Sequence, residues 1–147
     1  MDKKAKAVES FAQGHLCSQS ILAAFCDELG LERETALKLS QGFGGGFARS
    51  GETCGAVTGA LMVLGLKYGT AQKGETQEKA ATYAKVNAFL EQFKARHGSI
   101  TCRELLCCDI STQEGHDQAQ NDGHFATVCP KLVTNAVEIL ESLIEER

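Results

Sequence analysis

The sequence predicts an all-α fold in a single domain, and three observations carry that expectation. Apolar residues recur at helical spacing along most of the 147 residues, only one proline interrupts them, and no Asn-Gly or Asp-Gly step stands between strand-like runs as a tight hairpin signal. The expected architecture is a helical bundle of about six to seven helices over residues 1–147, with no internal repeat and no second domain.

Each element follows from its own pattern. A first helix, about Lys3 to Ala12, sets Val8, Phe11 and Ala12 on one side before Gly14 and His15 interrupt it. A second, about Leu16 to Leu29, carries Leu22, Phe25, Cys26 and Leu29 at core-face spacing, with Cys17 and Ile21 on the adjacent line and Gly30 as its stop. A short third helix, about Glu32 to Gln41, leads into the glycine-rich loop Gly42-Phe43-Gly44-Gly45-Gly46-Phe47. Cys54 to Tyr68 is apolar on nearly every side, which predicts a helix buried in the middle of the bundle. Its Gly55, Gly59 and Gly65 each cost about 1 kcal/mol relative to alanine, so they predict close approach of another backbone or of a bound group.

A fifth helix, about Thr76 to His97, repeats Tyr83, Val86, Leu90, Phe93 and His97 as a packing seam and ends at Gly98. Thr101-Cys102-Arg103-Glu104 has the form of a capping box and opens a short helix through Leu105 and Leu106. Ser111 to Gly123 reads as a mostly exposed connection. The last helix is expected to start at Cys129-Pro130, with proline in its first position, and to bury Val133, Ala136, Val137, Leu140 and Ile144.

A chain of this length buries roughly two thirds of its unfolded surface, so its seven cysteines are not needed as staples. The net charge is −4, and Lys3, Lys4 and Lys6 are too few and too terminal to form a basic groove, which argues against nucleic acid as a partner. No apolar run approaches the roughly 20 residues that span a bilayer, so no membrane insertion is expected. The charged, amphipathic N-terminus lacks a secretory core, and the expected setting is cytoplasmic. Thiols there are mostly reduced, and an odd count argues against a full set of structural disulfides.

Three cysteines fall where a helix is expected to begin: Cys54 after Thr53, Cys102 after Thr101, and Cys129 before Pro130. The unpaired N–H groups and positive dipole end of a first helical turn bias a sulfur there toward the thiolate. If those helix ends converge with Cys17, four sulfurs meet, the usual ligand set for zinc or an iron-sulfur cluster. Cys54, with the glycine-rich approach before it, is expected to be the most thiolate-like, and N–H groups of Gly44, Gly45 and Gly46 can point at an anion or a cluster sulfide. The loop is no nucleotide motif, since no strand precedes it and no Lys-Ser or Lys-Thr follows it. The plainer alternatives are cysteine as a small buried hydrophobe and a loop that only turns the chain.

Adjacent Cys107 and Cys108 do not close a ring comfortably, so one is expected to point inward and the other to serve Cys102 as a resolving thiol. Cys26 reads as core filler. Of the four histidines, none in a metal motif, His15, two residues before Cys17, and His124, five before Cys129, are the two worth testing, and no serine-nucleophile motif is present. Three functions remain open at this point. The first is a four-cysteine metal or iron-sulfur site that transfers electrons to a protein redox partner. The second is a metal-free thiol-disulfide protein cycling Cys54 and Cys102. The third is a non-catalytic helical binding module. A homodimer would be one way to bury the apolar helix.

The same residues carry a resemblance. Phe11-x-x-Gly14-x-x-Cys17, the loop Gly42-Phe43-Gly44-Gly45-Gly46, the block Cys54-Gly55-Ala56-Val57-Thr58-Gly59 with Gly65-Leu66, and Cys102-x-x-Leu105-Leu106 with Cys129 resemble the redox-active protein family whose signature is written C_GCAxxG_C_C. The resemblance implies a small helical domain whose four signature cysteines correspond to Cys17, Cys54, Cys102 and Cys129. Two departures stand out: the central block reads cysteine then glycine, and Cys107 and Cys108 add thiols where glycine is expected first.

Overall fold

The structure is a computed structural model and describes residues 2–145. Among the described residues it is helical without a strand, as the spacing predicts. α1 (Lys3–Ala12), α2 (Cys17–Phe25), α3 (Arg33–Ser40), α5 (Gly55–Tyr68), α6 (Gln77–His97) and α7 (Cys102–Leu106) fall within a few residues of their expected bounds. α4 (Gly44–Phe47), α8 (Gln113–Asn121) and α9 (His124–Glu145) are the differences.

The larger core is built from α1, α2, α5, α6 and α9, around Ile21, Leu22, Leu64, Phe89, Phe93 and Leu140. α5 presses against α2 so closely that a Cβ on Gly59 would lie 2.9 Å from the Ser18 carbonyl oxygen, and one on Gly55 would lie 3.0 Å from the Ser18 nitrogen. Those two glycines mark a close backbone approach, as expected. Gly65 does not, since nothing lies within 4 Å of its Cβ position.

Three corrections bear on function. The stretch Ser111 to Gly123 is not a plain connection: Thr112 caps α8 by accepting from the Gly115 N–H at 3.0 Å, and Gly115 and Ala119 are buried. Its inner face is made of small residues and His116, which leaves no apolar stripe to read. α9 starts at His124, not at Cys129-Pro130, because the Gly123 carbonyl accepts from the N–H groups of Ala126 and Thr127 at 3.1 and 3.0 Å. Pro130 therefore sits inside the helix, where it removes the bond to the Ala126 carbonyl four residues back. The helix runs on through it because Cys129, Leu132, Val133 and Ala136 all bury on one face.

Third, the glycine-rich loop is an ordered left-handed turn. Gly45, Gly46, Phe47, Ala48 and Arg49 all have φ between 51° and 68°. A non-glycine residue in that region costs roughly 1–2 kcal/mol, and three stand in succession here. Closure comes from the Gly51 and Glu52 N–H groups, which reach back to the Gly45 and Gly46 carbonyls at 3.1 and 2.9 Å. Gly46 is fixed by space as well: a Cβ there would lie 2.5 Å from the Glu52 nitrogen.

Candidate functional site

Two segments far apart in sequence are zipped together at the start of α5 and α7. Thr53 and Thr101 form an isolated antiparallel bridge. The Cys54 N–H donates to the Ile100 carbonyl at 2.7 Å, the Cys102 N–H to the Glu52 carbonyl at 2.6 Å, and the Arg103 N–H to the Gly51 carbonyl at 3.0 Å. Cys54 then stands as the N-cap of α5, and Cys102 as the first residue of α7, capped by Thr101. The capping box is half formed: the Thr101 hydroxyl accepts from the Glu104 N–H at 3.3 Å, while the Thr101 N–H goes to Ser99.

Cys17 is brought in from the other side. It is the first residue of α2, whose start is pinned to α3 by Ser18 Oγ donating to the Ser40 carbonyl at 2.8 Å and Gln19 Nε2 to the Leu37 carbonyl at 3.0 Å. A Cβ on Gly55 would lie 3.2 Å from Cys17 Cβ, so the starts of α2 and α5 abut. Cys129 comes from the second turn of α9. The helix-start set is thus Cys17, Cys54 and Cys102, with Cys129 inside a helix rather than at its beginning.

All four thiols line one cavity of about 960 Å³. They act on one another: the Cys17 thiol donates a hydrogen bond to Cys129 and feels the charge of Cys54 and Cys102. Cys17 is thereby pushed well above the usual thiol range, by that bond first and burial second, while the same bond holds Cys129 below it. Burial pushes Cys54 up to about 11 and Cys102 up to about 12, against a small opposing pull from Arg103 on the latter. That rise runs against the expectation that Cys54 is the most thiolate-like member. Burial outweighs the helix start.

The remaining candidates sort by the cavity wall. Gly44 and Gly45 line it and Gly46 does not. His15 lines it, but His124 instead stands 3.9 Å from the Asp122 carboxylate. His116, which no sequence motif marks, lines it with its ring 5.2 Å from Phe125. Of the vicinal cysteines one does point inward: Cys108 is buried in a small core with Cys102, Leu106, Ile110, Ala119 and Cys129, and Cys107 is exposed. Cys107 sits at φ 55°, which accounts for glycine being expected there. Cys26 is fully buried in the larger core.

A helical domain with four mutually interacting thiols on one cavity defines a cysteine-based site, and the family comparison agrees with it. The model of the family described as "Putative redox-active protein (C_GCAxxG_C_C)" matches residues 15–143, and the chain belongs to that family. No curated protein and no solved structure matches the chain. Among the described residues, no helix is long and apolar enough to cross a membrane.

Proposed function

We propose that Cys17, Cys54, Cys102 and Cys129 form one redox site, which holds an iron-sulfur cluster or another metal and passes electrons to a protein partner in a reducing, cytoplasmic setting. The observation that carries this reading is that four thiols from four separate helices share one cavity. Four sulfurs are the donor set that iron-sulfur clusters and zinc take, and the N-terminal ends of α2 and α5 would offset the negative charge they gather. When bound, a cluster supplies an electron couple. The chain's own residues supply the thiolates, an apolar wall against water, and the proton of the Cys17 to Cys129 hydrogen bond, which leaves as the ligands ionise. Among the described residues, no group of three or more His, Cys, Asp or Glu side chains already stands at metal-holding geometry, so loading would draw the thiols closer.

The test is iron, zinc and acid-labile sulfide content, with an absorption spectrum, on protein purified without oxygen and without a metal-binding tag. The expected result is iron with sulfide, lost in Cys54→Ser while the helical circular dichroism is kept. Unchanged metal content in that variant would sink the reading. A second reading, a metal-free thiol-disulfide protein cycling Cys54 and Cys102, is favoured by the bridge that sets those two chain segments side by side. A colourless protein that loses two thiols per oxidation would support it.

A further inference from the structure

The cavity is larger than its thiols need. At about 960 Å³ it would hold on the order of 30 waters, and it stands at the upper end of the range for pockets that enclose a small organic molecule. Its charge is also unlike the rest of the chain. The protein has 19 Asp and Glu against 15 Lys and Arg, yet among the described wall residues Arg49, His15 and His116 appear and no carboxylate does.

Arg49 ends the strained left-handed turn, at φ 67°. Its side chain folds back so that Cγ lies 3.1 Å from where a Gly45 Cβ would be, leaving the residue exposed at the cavity rim. Among the described residues its guanidinium has no hydrogen-bond or ion-pair partner. Three successive non-glycine residues held in a disfavoured conformation mark a segment whose shape is fixed for a purpose, and here that shape sets a free cation at the mouth of a thiol-lined cavity. Deeper in the wall, His116 Nδ1 is buried without a partner. Phe11, Phe125 and Ile110 give flat and apolar surface beside it.

We propose that this cavity binds a small organic anion with a planar apolar body, which lies along Phe11, Phe125 and Ile110 while its acid group meets Arg49. His116 Nδ1 is left to take one further polar atom of the ligand. The residues that would hold this ligand are other than the four thiols, so its binding and the metal content are read separately.

Isothermal titration of the full chain with 2-naphthoate as probe tests this, on the as-purified protein and on reduced, metal-free protein, with 2-naphthamide and 2-naphthylmethylammonium for comparison. One-to-one binding of naphthoate is expected, tighter than the amide, with no binding of the ammonium. Arg49→Gln should weaken naphthoate at least about ten-fold and leave the amide unchanged, the size expected for a charge-assisted hydrogen bond. Ala126→Phe, at an exposed wall position and so tolerated by the fold, should block both. Equal binding of all three probes, equal weakening of acid and amide by Arg49→Gln, unaltered binding in Ala126→Phe, or no saturable binding of naphthoate would each overturn the proposal. Metal content measured on the same samples reports separately on the thiol site.

Discussion

At the residue scale the decisive contest is between the helix dipole and burial. A helix start favours a nearby anion by about 0.3–1 kcal/mol, whereas one unit of pKa is worth about 1.4 kcal/mol. Cys54 rises from the ordinary 9.0 to about 11, so desolvation dominates even at an N-cap. What lowers a thiol here is a donor: Cys17 hands its proton toward Cys129. A thiol reacts with an alkylating agent as its thiolate, which forms above its own pKa. In reduced, metal-free protein Cys129 should therefore label with iodoacetamide at lower pH than its three neighbours. Cys54 and Cys102 should need pH near 11 and 12. Cys17→Ala removes the donor and should move Cys129 labelling to higher pH, as read by mass spectrometry of digests; an unmoved profile would contradict the pairing.

At the element scale, helix ends decide what the cysteines can do. Cys107 ends α7 in the left-handed region, one residue past Leu106, and its thiol donates to the Glu104 carbonyl at 3.5 Å. Replacing it by glycine relieves roughly 1–2 kcal/mol of backbone strain and returns roughly 0.4–1 kcal/mol through the freer unfolded chain. Cys107→Gly should thus raise stability by up to about 1.5 kcal/mol, seen as a higher urea midpoint with an unchanged slope. A lower midpoint would mean that the exposed thiol holds α7 in a way its contacts do not reveal. The start of α9 was legible in principle. Phe125, Cys129, Leu132 and Ala136 keep helical spacing through Pro130, but the proline at a plausible first position is the stronger local signal, and only the Gly123 carbonyl decides against it.

Across the whole molecule, two cores of unequal size share the work. The larger, on α1, α2, α5, α6 and α9, contains Cys54 and packs against Cys17; the smaller, on α7, α8 and the start of α9, contains Cys102, Cys108 and Cys129. The four candidate ligands therefore tie one core to the other. If a metal binds them, its removal should free amide hydrogen exchange in α7, α8 and the first turns of α9 while α5 and α6 stay protected. Uniform loss of protection would show instead that the two cores unfold as one.

The sequence by itself determined the helices that have a wide apolar face or a clear cap, from Lys3–Ala12 through Gln77–His97, because those signals are local. Through its signature it also singled out the four cysteines that line one cavity. Tertiary structure decided the rest. Gly51 to Cys54 pairs with Ile100 to Arg103 across nearly fifty residues, the glycine loop winds left-handed to present Arg49, and Cys17 of another helix holds the Cys129 thiol below its usual range. Each of these depends on groups brought close by folding: backbone partners distant in sequence, a Cβ that has no room, and a proton donor on another helix.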